Sequence, residues 1–175
     1  FHQEDAVEKG FSEGMKTGWR AINRMIRGIM PSSLTVIGAL TGQGKTAFIT
    51  GGVSGIGFGI ARAFAEAGIR LILSYRNEAY REEAESWFVK NELELPRFVK
   101  LDVTDRARFA EVAAEVGKVH ILVNNAGVSV FGPTAEASYA DYDWIMGVNF
   151  GGVVNGLVSF IPGMKAHGEG GHIVN

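Results

Sequence analysis

Thr50-Gly51-Gly52-Val53-Ser54-Gly55-Ile56-Gly57 is the stretch of this chain whose residue types and spacing are best suited to holding a charged ligand. It lies between an apolar run rich in strand formers and a helical pattern. In that position glycines let the main chain turn sharply and bring N–H groups and a helix N-terminus to a pyrophosphate. An anion there would be held by backbone rather than by lysine. Taken alone, such a turn is a weak signal, because an ordinary tight turn reads the same way. A second phosphate-binding pattern precedes it. Ala39-Leu40-Thr41-Gly42-Gln43-Gly44-Lys45-Thr46 fits the looser form of the P-loop, with Gly44 in the turn, Lys45 placed for β/γ-phosphates and Thr46 for magnesium.

The elements that must position these residues alternate in type. Apolar, β-branched runs at Leu34–Ile37, Thr46–Thr50, Ile69–Ser74, Phe98–Leu101, His120–Val123 and His172–Val174 predict strands, mostly continuous rather than alternating, as strands buried on both faces should be. Between them, Ile56–Ala67 predicts a helix with Ile60, Phe64 and Ala67 on one face and Gly68 ending it. Asn77–Asn91 predicts a charged surface helix. Thr104 reads as the N-cap of a helix carrying Phe109, Val112 and Val116 as its apolar stripe and stopped by Gly117. A longer helical stretch runs from about Tyr139 to Phe160, broken by Pro162. Strands alternating with helices build βαβ units and a parallel sheet. Phe1–Pro31 differs in character, with a single amphipathic patch through Trp19, Ile22, Met25 and Ile26.

The glycine turn does not stand alone. Its spacing is similar to the Thr-Gly-x-x-x-Gly-x-Gly motif of short-chain dehydrogenases/reductases, and Asn124-Asn125-Ala126-Gly127 after the fourth strand resembles that family's Asn-Asn-Ala-Gly motif. Asp102-Val103 and Val148-Asn149 match further family positions in order. The resemblance covers Lys45 to Asn175. It implies a three-layer Rossmann fold with strand order 3-2-1-4-5, and a nicotinamide dinucleotide, NADP or NAD, lying across the carboxyl ends of the strands. The cofactor-binding residues implied are Thr50, Gly51, Ser54, Gly55, Ile56, Gly57, Arg76, Asp102, Val103, Asn124, Ala126 and Gly127. Asn149 matches the family's structural and catalytic asparagine. Arg76 follows the second strand of the fold, where an acidic residue would pair with the ribose hydroxyls of NAD and an arginine accommodates the 2′-phosphate of NADP, so NADP is the expected cofactor.

The family's chemistry also needs a serine after the fifth strand and a Tyr-x-x-x-Lys pair, which polarise the carbonyl and supply the proton. Neither lies within residues 1–175, and Tyr75, Tyr80, Tyr139 and Tyr142 have no lysine at that spacing. The resemblance therefore implies an incomplete fold at its carboxyl-side edge, weak or absent carbonyl reduction, and an open strand edge at His172–Val174 offered to a second copy.

Thr17-Gly18-Trp19, Asn23-Arg24-Met25 and Pro31 to Gly38 resemble the opening of the ATPase domain of RecA-like replicative helicases, and that likeness stops at about Phe48. The two resemblances collide. A P-loop requires Lys45–Phe48 to open a helix, whereas the dehydrogenase pattern requires Thr46–Thr50 to be the central strand. Thr-Ala-Phe-Ile-Thr is rich in strand formers, so the strand is expected. The chain then divides into an accessory segment, 1–43, and a dinucleotide-binding domain, 44–175. The abrupt change at a shared Gly-Lys-Thr suggests a chimera of two parents.

Composition agrees with one α/β domain. The chain has 175 residues, 46% hydrophobic, with a net charge of -2 and 24 glycines clustered at turns. No basic footprint points to nucleic acid. With no cysteine, disulfides and thiolate metal sites are excluded, and the cytoplasm is the expected location. Apolar runs read as too interrupted for the ~20 residues of a membrane span, and no metal site is expected.

Overall fold

The computed structural model describes residues 44–175, so the strand expected at Leu34–Ile37 and the rest of segment 1–43 lie outside the described residues. Five parallel strands form the sheet: β1 (Thr46–Ile49), β2 (Arg70–Tyr75), β3 (Arg97–Lys100), β4 (Ile121–Val123) and β5 (His172–Val174). Their order is β3-β2-β1-β4-β5, as the sequence implied. The helices are α1 (Gly55–Glu66), α2 (Glu78–Lys90), α3 (Arg106–Val116), α4 (Tyr139–Met146) and α5 (Gly152–Ala166), the last two joined by a π-helical turn at Gly147–Gly151.

β1 sits in the middle because its side chains suit burial on both faces. Ala47, Phe48 and Ile49 are each fully buried, with Phe48 level with Ile72 on β2 and Leu122 on β4. Right-handed crossovers on either side of β1 put α1 and α2 over one face and α3 and α5 over the other. Phe48, Ile72 and Leu122 point to the second layer, where they pack with Phe109 and Val112 of α3 and Phe160 of α5. The Phe48 and Phe160 rings lie 4.6 Å apart, the close tilted contact aromatic pairs favour.

Local differences from the expected elements have physical causes. Asp105, not Thr104, caps α3, its side chain accepting from the Arg108 N–H at 2.9 Å; the Thr104 hydroxyl is taken up by Asp102 instead. Ala67 is exposed, and the buried face of α1 is Gly57, Ile60, Ala61 and Phe64. Pro162 does not break the last helix, which continues to Ala166. The ring removes the N–H that would reach the Val158 carbonyl, and both residues are exposed, so water can satisfy that group.

The run from Tyr139 to Ala166 spans 28 residues with a mean hydropathy of 1.5 in its most apolar window. Contrary to the expectation from interrupted runs, it is long and apolar enough by composition to cross a membrane. Its glycines do not interrupt the helix, and its charges, Asp141, Asp143 and Lys165, sit near its ends. Here it is a layer of the domain, with Gly152, Asn155, Gly156 and Phe160 buried.

Candidate functional site

The carboxyl ends of β1, β2 and β4 and the loops that follow them line one cleft of about 1040 Å³. Gly51 and the Val53–Ile56 turn enter it from β1, Ser74 to Asn77 from β2, Leu101 and Val103 from the loop after β3, Asn125 to Ser129 from the loop after β4, and Val148 and Asn149 from the π turn. The sequence-expected positions Gly51, Ser54, Gly55, Ile56, Arg76, Val103, Ala126, Gly127 and Asn149 therefore share one wall system. Thr50, Gly57, Asp102 and Asn124 stand behind it.

Thr50 is buried at the end of β1. Its Oγ1 accepts the N–H groups of Asn125 (2.8 Å) and Ala126 (2.9 Å), so the hydroxyl ties the loop after β4 to the glycine turn and is not offered to the cleft. Gly51 adopts φ +62° and Gly55 φ +53°, the left-handed conformation that a Cβ disfavours. The Gly51 N–H donates to Ser74 Oγ (3.1 Å) and the Gly52 N–H to the Ser74 carbonyl (3.1 Å).

The turn leads into α1 with Ser54 in extended conformation at the cap position and no side chain capping the first turn. The first N–H groups of a helix have no intrahelical partner, and here they open on the cleft beside the exposed Ser54, Gly55 and Ile56. Gly57 is glycine for space. A Cβ there would lie 3.1 Å from Asn125 Cγ and closer still to the Gly51 carbonyl oxygen and the Asn125 amide nitrogen.

Ser74 and Asn155 were missed in the sequence, and Asn125, although part of the quoted motif, was given no role. The Asn125 amide donates to the Thr50 carbonyl (3.0 Å) and reaches that of Gly51 (3.4 Å), locking the turn. Asn155, buried in α5, donates to the Val103 carbonyl (2.8 Å) and holds the loop after β3. Asn125 and Asn155 could have been flagged as polar residues in otherwise apolar surroundings; their partners could not. Asn124 is buried, its amide donating to Asn175 Oδ1 at 2.8 Å and its own oxygen lying against Gly156, which has no Cβ to strike it. It braces β4 against β5 behind the cleft.

Asn149 makes a two-way clamp, accepting the Val128 N–H (2.8 Å) and donating to the Val128 carbonyl (2.9 Å). Its place in a π turn, a feature frequent at functional sites, aims it at the loop after β4. Arg76 lies over the cleft beside Asp102, with Nε 3.4 Å from Oδ2. Burial alone would raise the Asp102 carboxyl, yet hydrogen bonds from the Thr104 N–H and hydroxyl and the Arg76 charge outweigh it and hold it below the usual 3.8.

The P-loop alternative does not fit these atoms. Thr46 begins β1 and is buried, its N–H donating to His120 Nδ1, so Gly44, Lys45 and Thr46 do not open a helix toward a phosphate. Lys45 lies at the opposite, amino end of the sheet, 4.0 Å from Glu169. The strand wins because β1 gains ladders on both edges and a fully buried apolar run. Among the described residues no cluster of His, Asp and Glu could hold a metal ion.

A doubly wound parallel sheet with a glycine turn, an uncapped helix N-terminus and a cleft across its carboxyl ends defines a nucleotide-binding class. The family model for short chain dehydrogenase matches residues 45–175, and the chain belongs to that family. It is 43% identical over 141 residues to a C alpha-dehydrogenase of Sphingobium sp. (strain NBRC 103272 / SYK-6), covering 75% of this chain and 45% of that protein. A short chain dehydrogenase/reductase from Burkholderia phymatum, solved in complex with NAD, superposes with a TM-score of 0.72 at 35% identity, covering 78% of this chain and 50% of that one. A metagenomic short-chain oxidoreductase in complex with NADP gives a TM-score of 0.68 at 32% identity, covering 77% of this chain and 61% of that one. The chain thus spans about half the length of the relatives it matches.

Proposed function

We propose that residues 44–175 bind a nicotinamide dinucleotide and form the cofactor-holding part of an NAD(P)-dependent oxidoreductase acting on a carbonyl or alcohol. The observation that carries this reading is the Gly51–Gly57 turn. Its backbone is bent by left-handed glycines, braced by Asn125 and Ser74, and left without a side-chain cap where α1 begins, which suits a pyrophosphate. Relatives solved with NAD and with NADP support the cofactor class.

In this reading Gly51, Ser54, Gly55 and Ile56 meet the pyrophosphate, while Gly57 and Thr50 hold the turn in shape. Val103 and Asp102 border the adenine, and Arg76 meets the ribose 2′-phosphate, so NADP is preferred. Asn124, Ala126 and Gly127 shape the wall after β4. Asn149 keeps the Val128 backbone in place beside the ring-bearing end. When bound, the nicotinamide gives or takes a hydride. Among residues 1–175 no tyrosine has a lysine at the Tyr-x-x-x-Lys spacing.

Residues 1–43 are read as an accessory segment, joined near Gly44–Thr46 to a domain of different ancestry. The open outer edge of β5, with Ile173 and Val174 exposed, suits pairing with a second copy. Isothermal titration of the 175-residue chain with NADPH, NADH and Mg-ATP tests the central reading. Binding of a nicotinamide nucleotide without magnesium is expected; binding of Mg-ATP alone would overturn it.

A further inference from the structure

Arg76 and Asp102 form one chain of contacts that begins at Thr104. Asp102 Oδ1 accepts both the Thr104 N–H (3.0 Å) and the Thr104 hydroxyl (2.8 Å). This closed turn at the start of α3 fixes the carboxylate in one orientation. Its other oxygen, Oδ2, is then directed at Arg76, and the approach is to Nε at 3.4 Å. Among the described residues no nitrogen of the Arg76 guanidinium donates a hydrogen bond, so its forked end keeps its donors for a ligand, and the contact with Asp102 is an ion pair whose nearest approach is at Nε. Arg76 itself lines the cleft.

We infer that Thr104 is a positioning residue for cofactor choice: by holding Asp102, it pins the Nε side of Arg76 and keeps the guanidinium fork turned toward a ribose 2′-phosphate. The inference rests on the reading that a nicotinamide dinucleotide occupies this cleft. Its physical basis is pre-organisation. A free arginine has many rotamers, and some of that freedom must be lost when it grips a phosphate. Restricting it beforehand lowers that loss. The lowered Asp102 carboxyl agrees, since an ionised partner is what Arg76 requires.

An opposing effect exists, because the Asp102 charge also repels a phosphate. It lies behind the fork, on the Nε side, and is 41% exposed, so water screens it. Replacing Thr104 separates the two effects, because it loosens Asp102 without removing its charge. Any influence Asp102 has through the adenine is common to both cofactors and cancels in their ratio.

The test is titration of NADPH and NADH against the 175-residue chain, Thr104→Val and Thr104→Ser, with thermal melts to establish that each variant is folded. Thr104→Val should lower the NADPH to NADH affinity ratio by about two- to fivefold, the size an exposed ion pair carries, and Thr104→Ser should restore it. A folded Thr104→Val that keeps the full ratio, or raises it, overturns the inference while leaving the cofactor reading intact. Failure of that reading shows itself elsewhere, as a parent chain that binds neither cofactor, or binds NADH as tightly as NADPH; either result removes the inference as well.

Discussion

Replacing Gly57 by alanine adds one methyl group at the tightest point of the turn. The new Cβ would lie 3.1 Å from Asn125 Cγ and fall short of normal contact with the Gly51 carbonyl oxygen by about 1 Å. That oxygen is backbone, in a turn already held by Ser74 and Asn125, so it cannot swing aside as a flexible side chain would. Gly57 does not have positive φ, so the cost is purely one of space. Overpacking of this kind costs about 1–3 kcal/mol, while alanine in place of glycine in a helix returns up to ~1 kcal/mol. Net destabilisation should be modest, about 0–2 kcal/mol. Under the proposed function binding should suffer more, because the displaced atoms brace the turn that would meet the pyrophosphate. Loss of one or two backbone contacts to the ligand, at about 1 kcal/mol each, should raise the NADPH dissociation constant on the order of tenfold.

Gly59, two residues on, is the control. It is exposed and a Cβ there meets nothing within 4 Å, so Gly59→Ala should raise the melting temperature by about 3 °C and leave affinity unchanged. Calorimetric titration with NADPH, paired with thermal melts, reads both quantities. The reasoning is refuted if Gly57→Ala binds as the parent does, or if Gly59→Ala loses binding to the same degree.

Lys45→Ala should change NADPH affinity less than about twofold, since an exposed pair with Glu169 at the far end of the sheet is all it loses; a large loss in the titration would restore the P-loop. Asn149→Ala removes both bonds to Val128 and should cost about 1–2 kcal/mol of stability in urea unfolding, with a matching rise in the NADPH dissociation constant. An unchanged constant would remove Asn149 from the binding machinery. Glu169 is pulled from 4.5 to about 2 by hydrogen bonds from Lys118 and His120. A carboxyl lowered in the folded state stabilises fully above its unfolded value and loses that contribution as pH falls through the folded one. Melting temperature should therefore drop between about pH 5 and pH 2, and Glu169→Gln should flatten that slope. A variant with the parent's acid profile would place the sensitive group elsewhere.

Much of the fold was legible because its signals are local. Continuous apolar runs such as Phe98–Leu101 and glycine turns at regular intervals follow from burial on two faces and from backbone sterics, and the sheet order came with the family motifs they carry. The cofactor turn was legible for the same reason, since Gly51 and Gly55 need conformations other residues avoid. Helix ends were less so: Asp105 and Thr104 are both good caps, and the choice fell to Asp102, which claimed the Thr104 hydroxyl first.

What sequence determined by itself is which backbone bends and which segments must be buried. Those depend on each residue and its near neighbours. Strand formers at Thr46–Thr50 favoured a strand over a P-loop helix, and tertiary structure settled it, because β2 and β4 each offer β1 a ladder. Tertiary structure alone decided which polar groups do the holding. Thr50, Asn125 and Asn155 work through partners 52 to 76 residues away, and no periodicity within a segment encodes a bond whose two ends meet only after the sheet has closed.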